Sequence, residues 1–110
     1  MRKTLEPQTA IDMYRELADS IDGDISELQT IAISSETRED ELLRLIKLLK
    51  TLRQKVENIR KKLGKLEDSF RADKISSEEI SMELENIMKL LVDIRGNVQG
   101  LRKNILALRS

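Results

Sequence analysis

The chain has 110 residues, of which 36 % are charged and only 2 % aromatic, and twenty basic side chains balance twenty acidic ones. Its length is enough to bury a core within one domain, and its Leu, Ile, Glu, Lys and Arg content is typical of long helices. Cysteine and histidine are absent. Their absence excludes disulfides, the usual zinc sites and the commonest general base.

The first predicted element is a helix over about residues 8–34. Its apolar residues recur at alternating steps of three and four, which indicates a helix that packs along one seam. The seam consists of Ile11, Tyr14, Ala18, Ile21, Ile25, Leu28 and Ala32. Pro7 suits the first helical turn, and Thr9 with Asp12 offers an N-terminal cap.

A second helix is predicted over about residues 37–72, after the segment SSETRED. Ser34, Ser35 or Thr37 can cap its start. Acidic residues suit the positive end of its dipole, and they are Glu39, Asp40 and Glu41. The seam continues through Leu42, Leu45, Leu49, Leu52, Val56, Ile59, Leu63, Leu66 and Phe70.

The third predicted helix covers about residues 77–109 and has the clearest start. Ser76 and Glu79 form the S-x-x-E capping box, and Ile75 and Ile80 occupy the two positions of a hydrophobic staple. Its seam consists of Ile80, Leu84, Ile87, Leu91, Ile94, Val98, Leu101, Ile105 and Leu108.

Short connections make sequential helices antiparallel neighbours. The prediction is therefore an all-α, antiparallel three-helix bundle with coiled-coil (heptad) packing, running up-down-up as one domain over residues 1–110. If the first turn centres near residue 35, Thr9 lies beside about residue 62.

In this register one end of the bundle extends past the start of the first helix. The residues beyond that start are Leu66, Phe70, Ile80 and Leu84. Either residues 1–8, with Leu5, fold over this end, or an open two-helix groove accepts another helix or a second copy of the chain.

Charge changes sign along the chain. Residues 1–43 carry four basic and eleven acidic groups, and residues 44–74 carry eleven basic and four acidic groups. One interpretation is that opposite charges pair the helices: the acidic first helix lies on the basic second, whose end meets Glu78, Glu79, Glu83 and Glu85. The alternative is a face for nucleic acid or an acidic membrane, formed by Arg53, Lys55, Arg60, Lys61, Lys62 and Lys65.

The sequence offers no catalytic, cofactor-binding or metal-binding residue, and we expect a protein without enzymatic activity or cofactors. The run DSIDGDISELQ looks like a calcium loop, but Ala18 and Gln29 occupy the first and twelfth loop positions, where carboxylates are required. The pair Glu78 and Glu79 is typical of a solvated helix start. No glycine-rich phosphate loop follows a predicted strand, because no strand is predicted.

Several surface positions carry apolar residues or glycines that an isolated bundle does not require. Leu43, Ile33 and Val92 fall at the outer b position. The wide apolar stripe of a three-helix core accounts for many of the other off-seam residues, which are Leu17, Ile31, Ile46, Leu48, Met88 and Leu90. Gly96 and Gly100, within GNVQG, face outward, either as tolerated surface or as a strip where a helix approaches closely. The candidate partner-binding residues are Leu43, Leu66, Phe70, Ile80, Val92, Gly96 and Gly100.

The predicted function is a non-catalytic protein–protein interaction module that binds a protein partner through the second and third helices. An adaptor, a co-chaperone or a small helical subunit of a larger assembly would fit. The alternatives are a nucleic-acid-associated helical subunit that uses the basic second helix, or a self-assembling homo-oligomer. No apolar run approaches the ~18 residues of a membrane span, the N-terminus does not resemble a secretory signal, and we expect a cytoplasmic location.

Overall fold

Three α-helices account for nearly all of the computed structural model, which describes residues 6–34 and 40–109. They are α1 (Pro7–Ile33), α2 (Asp40–Arg71) and α3 (Ser77–Arg109). All three pairs of helices are in contact, and the described residues include no strand. The predicted all-α, antiparallel three-helix bundle is confirmed.

The predicted seams form the core of the bundle. Tyr14, Phe70 and Leu108 are partly buried against it, and every other seam residue is buried. Ala10 is also buried, although it does not belong to a predicted seam. No polar or charged residue is buried in the described part of the chain. Apolar burial is therefore the force that holds the three helices together.

The start of α1 differs from the prediction. The helix begins at Pro7, and its N-cap residue, Glu6, makes no side-chain capping hydrogen bond. The predicted cap by Thr9 and Asp12 is wrong because both residues already lie within the helix.

The segment between α1 and α2 is described only at its edges. Ser34 caps the C-terminus of α1, where its backbone N–H donates to the Thr30 carbonyl oxygen at 3.0 Å. The predicted caps Ser35 and Thr37, the acidic Glu39 and the predicted start of the second helix near residue 37 lie outside the described residues.

The predicted start of α3 is confirmed. The backbone N–H of Glu79 donates to Ser76 Oγ at 3.1 Å. Ile75 packs against the core and Ile80 is fully buried, as a hydrophobic staple requires. Among the described residues, the hydrogen bond from Glu79 to Ser76 is the one bond of the predicted capping box that is formed, and with the packing of the two isoleucines it fixes the point at which the chain enters α3.

The register of α1 against α2 was predicted wrongly. Gln8 Nε2 donates to Glu67 Oε2 at 2.7 Å, and Arg53 Nε lies 3.4 Å from Asp22 Oδ1. These contacts place α1 roughly one to two helical turns further along α2 than the predicted pairing of Thr9 with residue 62.

This register closes the end of the bundle that was predicted to form an open groove. Leu66, Ile80 and Leu84 are buried and Phe70 is half-buried. Leu66 and Ile80 therefore have no surface to offer a partner, and that interpretation of this end is wrong. The alternative cover by Leu5 lies outside the described residues.

Candidate partner-binding groove between α2 and α3

Arg53 and Arg60 of α2 are directed at α1 rather than at a free surface. Arg60 pairs with Asp19 and Asp22 of α1 and with Glu57 of its own helix. Arg53 pairs with Asp22 and also donates to the Gln29 side-chain oxygen at 3.1 Å. Two members of the predicted basic face therefore hold α1 and α2 together.

The electrostatic surroundings of Arg60 fit this structural role. Desolvation by burial acts to lower the pKa of Arg60, but the hydrogen bond to Asp19 and the charges of Asp19 and Asp22 outweigh it and raise the pKa. Arg60 Nε is buried without a hydrogen-bond partner. The guanidinium is thus committed to the α1/α2 interface and is not available to an external anion.

Glu67 joins the same two helices at the other end of their interface. It accepts hydrogen bonds from Gln8 at 2.7 Å and from Arg15 at 3.3 Å, and Arg71 lies 3.7 Å away. The hydrogen bond from Gln8 is the largest influence, followed by that from Arg15, and together they lower the pKa of Glu67.

The predicted charge pairing between helices is found in part. Lys62 Nζ lies 2.9 Å from Glu83 Oε2, so the acidic start of α3 does meet the basic end of α2. Between α1 and α2, Arg60 meets acids of α1 as expected. The signs are reversed where Arg15 of the acidic helix meets Glu67 of the basic one.

The remaining cations of the predicted basic face do not form one surface. Lys55 and Lys62 lie between α2 and α3, whereas Arg53 and Arg60 contact α1. Lys55, Lys61 and Lys65 are exposed and make no ion pair with any described residue.

Two adjoining depressions between α2 and α3 share Lys55 and Asn97 and form one continuous channel, which we call the α2/α3 groove. It runs from Leu48 to Lys62 along α2, two heptads or roughly 21 Å of helix. Its α2 side consists of Leu48, Thr51, Leu52, Lys55, Asn58, Ile59 and Lys62. Its α3 side consists of Leu90, Asp93, Ile94, Gly96, Asn97, Gly100, Leu101 and Asn104.

The floor of the groove is apolar and thinly covered. Its four core side chains retain 4–7 % of their exposure, namely Leu52, Ile59, Ile94 and Leu101. Leu49, Val56 and Leu91, deeper in the core, have 0 %. α2 and α3 also approach each other along fewer residues than either of them approaches α1.

Two leucines stand at the edges of the groove. Leu48 is 45 % exposed and Leu90 is 48 % exposed. The apolar stripe of the core accounts for many of the off-seam residues, but it does not cover these two. The signal that identifies them is their position: each lies beside the seam on the side of its helix that faces away from α1.

The outward glycines of α3 belong to the same groove. Gly96 and Gly100 line it opposite Leu48, and a Cβ atom built at either glycine would meet nothing within 4 Å. No neighbour within the bundle requires a glycine there. The missing side chains leave the α3 wall of the groove low.

The other candidate residues lie in different places. Leu43 and Ile33 are exposed, and Ile46 and Lys50 connect them across two adjoining depressions. That apolar patch sits at the end of the bundle where α1 finishes and α2 begins. Val92 is exposed on α3, one turn before Gly96. The seven predicted partner-binding residues therefore do not share one surface.

Within residues 6–34 and 40–109, no group of three or more acidic, cysteine or histidine side chains is placed to hold a metal ion. None of the helices described combines the length and the apolar character needed to cross a membrane.

Comparison with known proteins adds no relative: no protein-family model, curated protein or solved structure matches this chain.

Proposed function

We propose that the chain is a non-catalytic interaction module, such as an adaptor, a co-chaperone or a small helical subunit, which binds a protein partner through the α2/α3 groove. The observation that carries this proposal is the half-exposed pair Leu48 and Leu90 in a groove two heptads long with an apolar floor. Grooves between helices recognise partners by accepting apolar anchors.

The composition of the groove supports the same proposal. Around the apolar floor lie neutral side chains that can both donate and accept hydrogen bonds, namely Thr51, Asn58, Asn97 and Asn104. An apolar centre with a polar rim is the arrangement that protein–protein interfaces share.

A second candidate function is binding of nucleic acid by the outer surface of α2. The observation that favours it is that Lys61 and Lys65, one turn apart on α2 and outside the groove, are exposed and make no ion pair with any described residue. Such binding would weaken steeply with salt as counterions are released. Binding to a DNA duplex that does not change between low and high salt would argue against it.

Site-specific photo-cross-linking tests the proposed surface. A photo-reactive residue replaces Asn97, in the groove, and in a separate variant it replaces Ser20, which is exposed on α1. Both variants are exposed to an extract of the source organism. We expect the Asn97 position to cross-link a defined protein that the Ser20 position does not capture.

A matched pair of glycine variants then tests the contact itself. Gly96→Leu fills the groove, whereas Gly23→Leu adds the same side chain to open space on α1. Both changes remove a helical glycine, so both should raise helix stability by a similar amount, about 1 kcal/mol. We expect Gly96→Leu to reduce partner capture at least tenfold and Gly23→Leu to leave it unchanged. Equal capture by both variants would show that the groove is not the binding site.

A further inference from the structure

Two lysines line the α2/α3 groove at a regular spacing. Lys55 and Lys62 are seven residues apart on α2 and both line the groove. Lys62 already contacts Glu83 at 2.9 Å, but Lys55 makes no ion pair with any described residue. On the opposite wall the only acid is Asp93, and no ion pair joins it to either lysine.

We propose, on the basis of the proposed function, that the partner enters this groove as a single amphipathic helix that carries acidic residues along its α2 side. Apolar side chains of that helix would cover the floor between Leu48 and Leu90. Carboxylates seven residues apart on it would pair with the ammonium groups of Lys55 and Lys62. The complex is a four-helix bundle.

The dimensions of the groove match such a helix. Two heptads of groove correspond to about fourteen residues of a partner helix lying along it. Charges beside an apolar seam select the partner and the orientation of a packed helix. Two lysines at heptad spacing would face the same side of the bound helix and so favour carboxylates on that side. The low wall at Gly96 and Gly100 allows the occupant to lie close to α3.

The net-acidic helix of a second copy, α1, does not meet these requirements. Asp19 and Asp22 of that helix are already paired with α2. The only large apolar residues exposed within Pro7–Ile33 are Met13 and Ile33, which lie too far apart to form a stripe.

Nucleic acid fits the groove poorly as well. Asp93 lies among the groove residues, and Leu90 and Leu48 would face the phosphates. The groove residues include no aromatic side chain on which a base could stack. The observations therefore favour an acidic, amphipathic helix over a polyanion.

Designed peptides test the proposed chemistry. The first probe is a 21-residue amphipathic helix with leucine and alanine along its seam and glutamate at flanking positions seven residues apart. The second has lysine in place of each glutamate. We expect fluorescence anisotropy with the full chain to show binding of the acidic peptide and at least tenfold weaker binding of the basic one.

Charge reversal in the protein tests the assigned residues. The double variant Lys55→Glu/Lys62→Glu should reverse the preference, so that the basic peptide binds more tightly. The matched control Lys47→Glu/Lys61→Glu makes the same change in net charge on exposed α2 residues outside the groove, and it should keep the preference for the acidic peptide. Because Lys62 pairs with Glu83, Lys55→Glu alone serves as the test if circular dichroism shows that the double variant loses helicity.

The contrary outcomes separate the occupants. Failure of the acidic peptide to bind, or equal binding of both peptides, overturns the proposal. Binding of a 20-base-pair DNA duplex that the acidic peptide displaces would also overturn it, in favour of nucleic acid. Self-association in sedimentation that Lys55→Glu/Lys62→Glu abolishes would overturn it in favour of a second copy. If Asn97 still cross-links a partner while the acidic peptide does not bind, the proposed function stands and only the acidic helix is rejected. If Asn97 captures nothing, the proposed function itself fails.

Discussion

Among the described acidic residues, Glu67 contacts three polar side chains, which are those of Gln8, Arg15 and Arg71. It accepts hydrogen bonds from the first two and lies close to the third. These contacts join the first turn of α1 to the last turns of α2, so a single carboxylate reports whether the two helices are in register. Its lowered pKa is the measurable consequence.

Replacing this carboxylate gives a prediction with a defined pH dependence. The pKa of Glu67 in the folded state lies below its ordinary value of 4.5, so the ionised form stabilises the fold above that pH. This contribution disappears as the pH falls below 4.5 and through the lower folded-state pKa. We expect Glu67→Gln to unfold at lower urea than the wild type near pH 7, with a smaller difference near pH 3.

The neighbouring Asp68 provides the control. It is exposed and forms no ion pair with any described residue, so Asp68→Asn should show little difference from the wild type at either pH. A deficit for Glu67→Gln that stays constant from neutral to acid pH would contradict the role assigned to its charge.

At the scale of the elements, the turn from α2 to α3 contains two motifs, of which only the N-terminal cap of α3 was predictable from the sequence. Lys74 N–H donates to the Ser69 carbonyl oxygen at 2.9 Å and Asp73 N–H to that of Phe70 at 3.1 Å. This is a Schellman motif, with Asp73 at a φ of 56°. Glycine normally marks that position and is absent here. The next motif, at Ser76, was predictable because its capping residues are the usual ones.

Asp73→Gly should therefore stabilise the protein. Glycine adopts a positive φ without the steric cost that a side chain imposes, and the change removes a negative charge from the negative end of the α2 dipole. The flexibility of glycine in the unfolded chain offsets part of the gain. We expect a net increase of about 0.5–1 kcal/mol in the free energy of unfolding in urea.

Asp73→Asn separates the two causes, because asparagine tolerates this conformation and lacks the charge. Its stability should lie between that of the wild type and that of the glycine variant. A glycine variant no more stable than the wild type would show that the turn is not strained.

The register of α1 on α2 was not predictable from the seams. A heptad seam repeats, so sliding one helix past its neighbour by seven residues preserves the apolar contacts. The polar pairs of Arg60 and Glu67 mark the register that the bundle adopts, and they are visible only once the helices are in place. Helix positions and core residues depend on local periodicity instead, which is why they were predicted well.

At the scale of the whole molecule, the net charge is zero but α1 and α2 carry opposite net charges. Within Pro7–Ile33, α1 carries six acids and one base, and within Asp40–Arg71, α2 carries five acids and ten bases. The α1/α2 interface neutralises part of this difference, and in the α2/α3 groove Lys55 makes no ion pair with any described residue. The groove was not predicted because the sequence does not show which sides of α2 and α3 are left uncovered by α1.

Two leucine truncations distinguish the core from the groove. Leu63 is fully buried and Leu90 is half-exposed. Leu63→Ala should cost about 2–5 kcal/mol through lost burial and a residual cavity. Leu90→Ala should change stability by no more than about 0.5 kcal/mol. Urea unfolding measures both, and a comparable loss for the two variants would place Leu90 in the core.

The bare glycines of α3 have a consequence for local opening. Over Gly96 and Gly100 no side chain shields the backbone from water on the groove side, and water competes there for the hydrogen bonds of the helix. The turns around Gly96 and Gly100 should therefore open more readily than the other interior turns of α3. A partner bound in the groove would exclude that water and stabilise the backbone hydrogen bonds of α3. Hydrogen exchange of the amides around Gly96 and Gly100 should therefore slow when the partner binds.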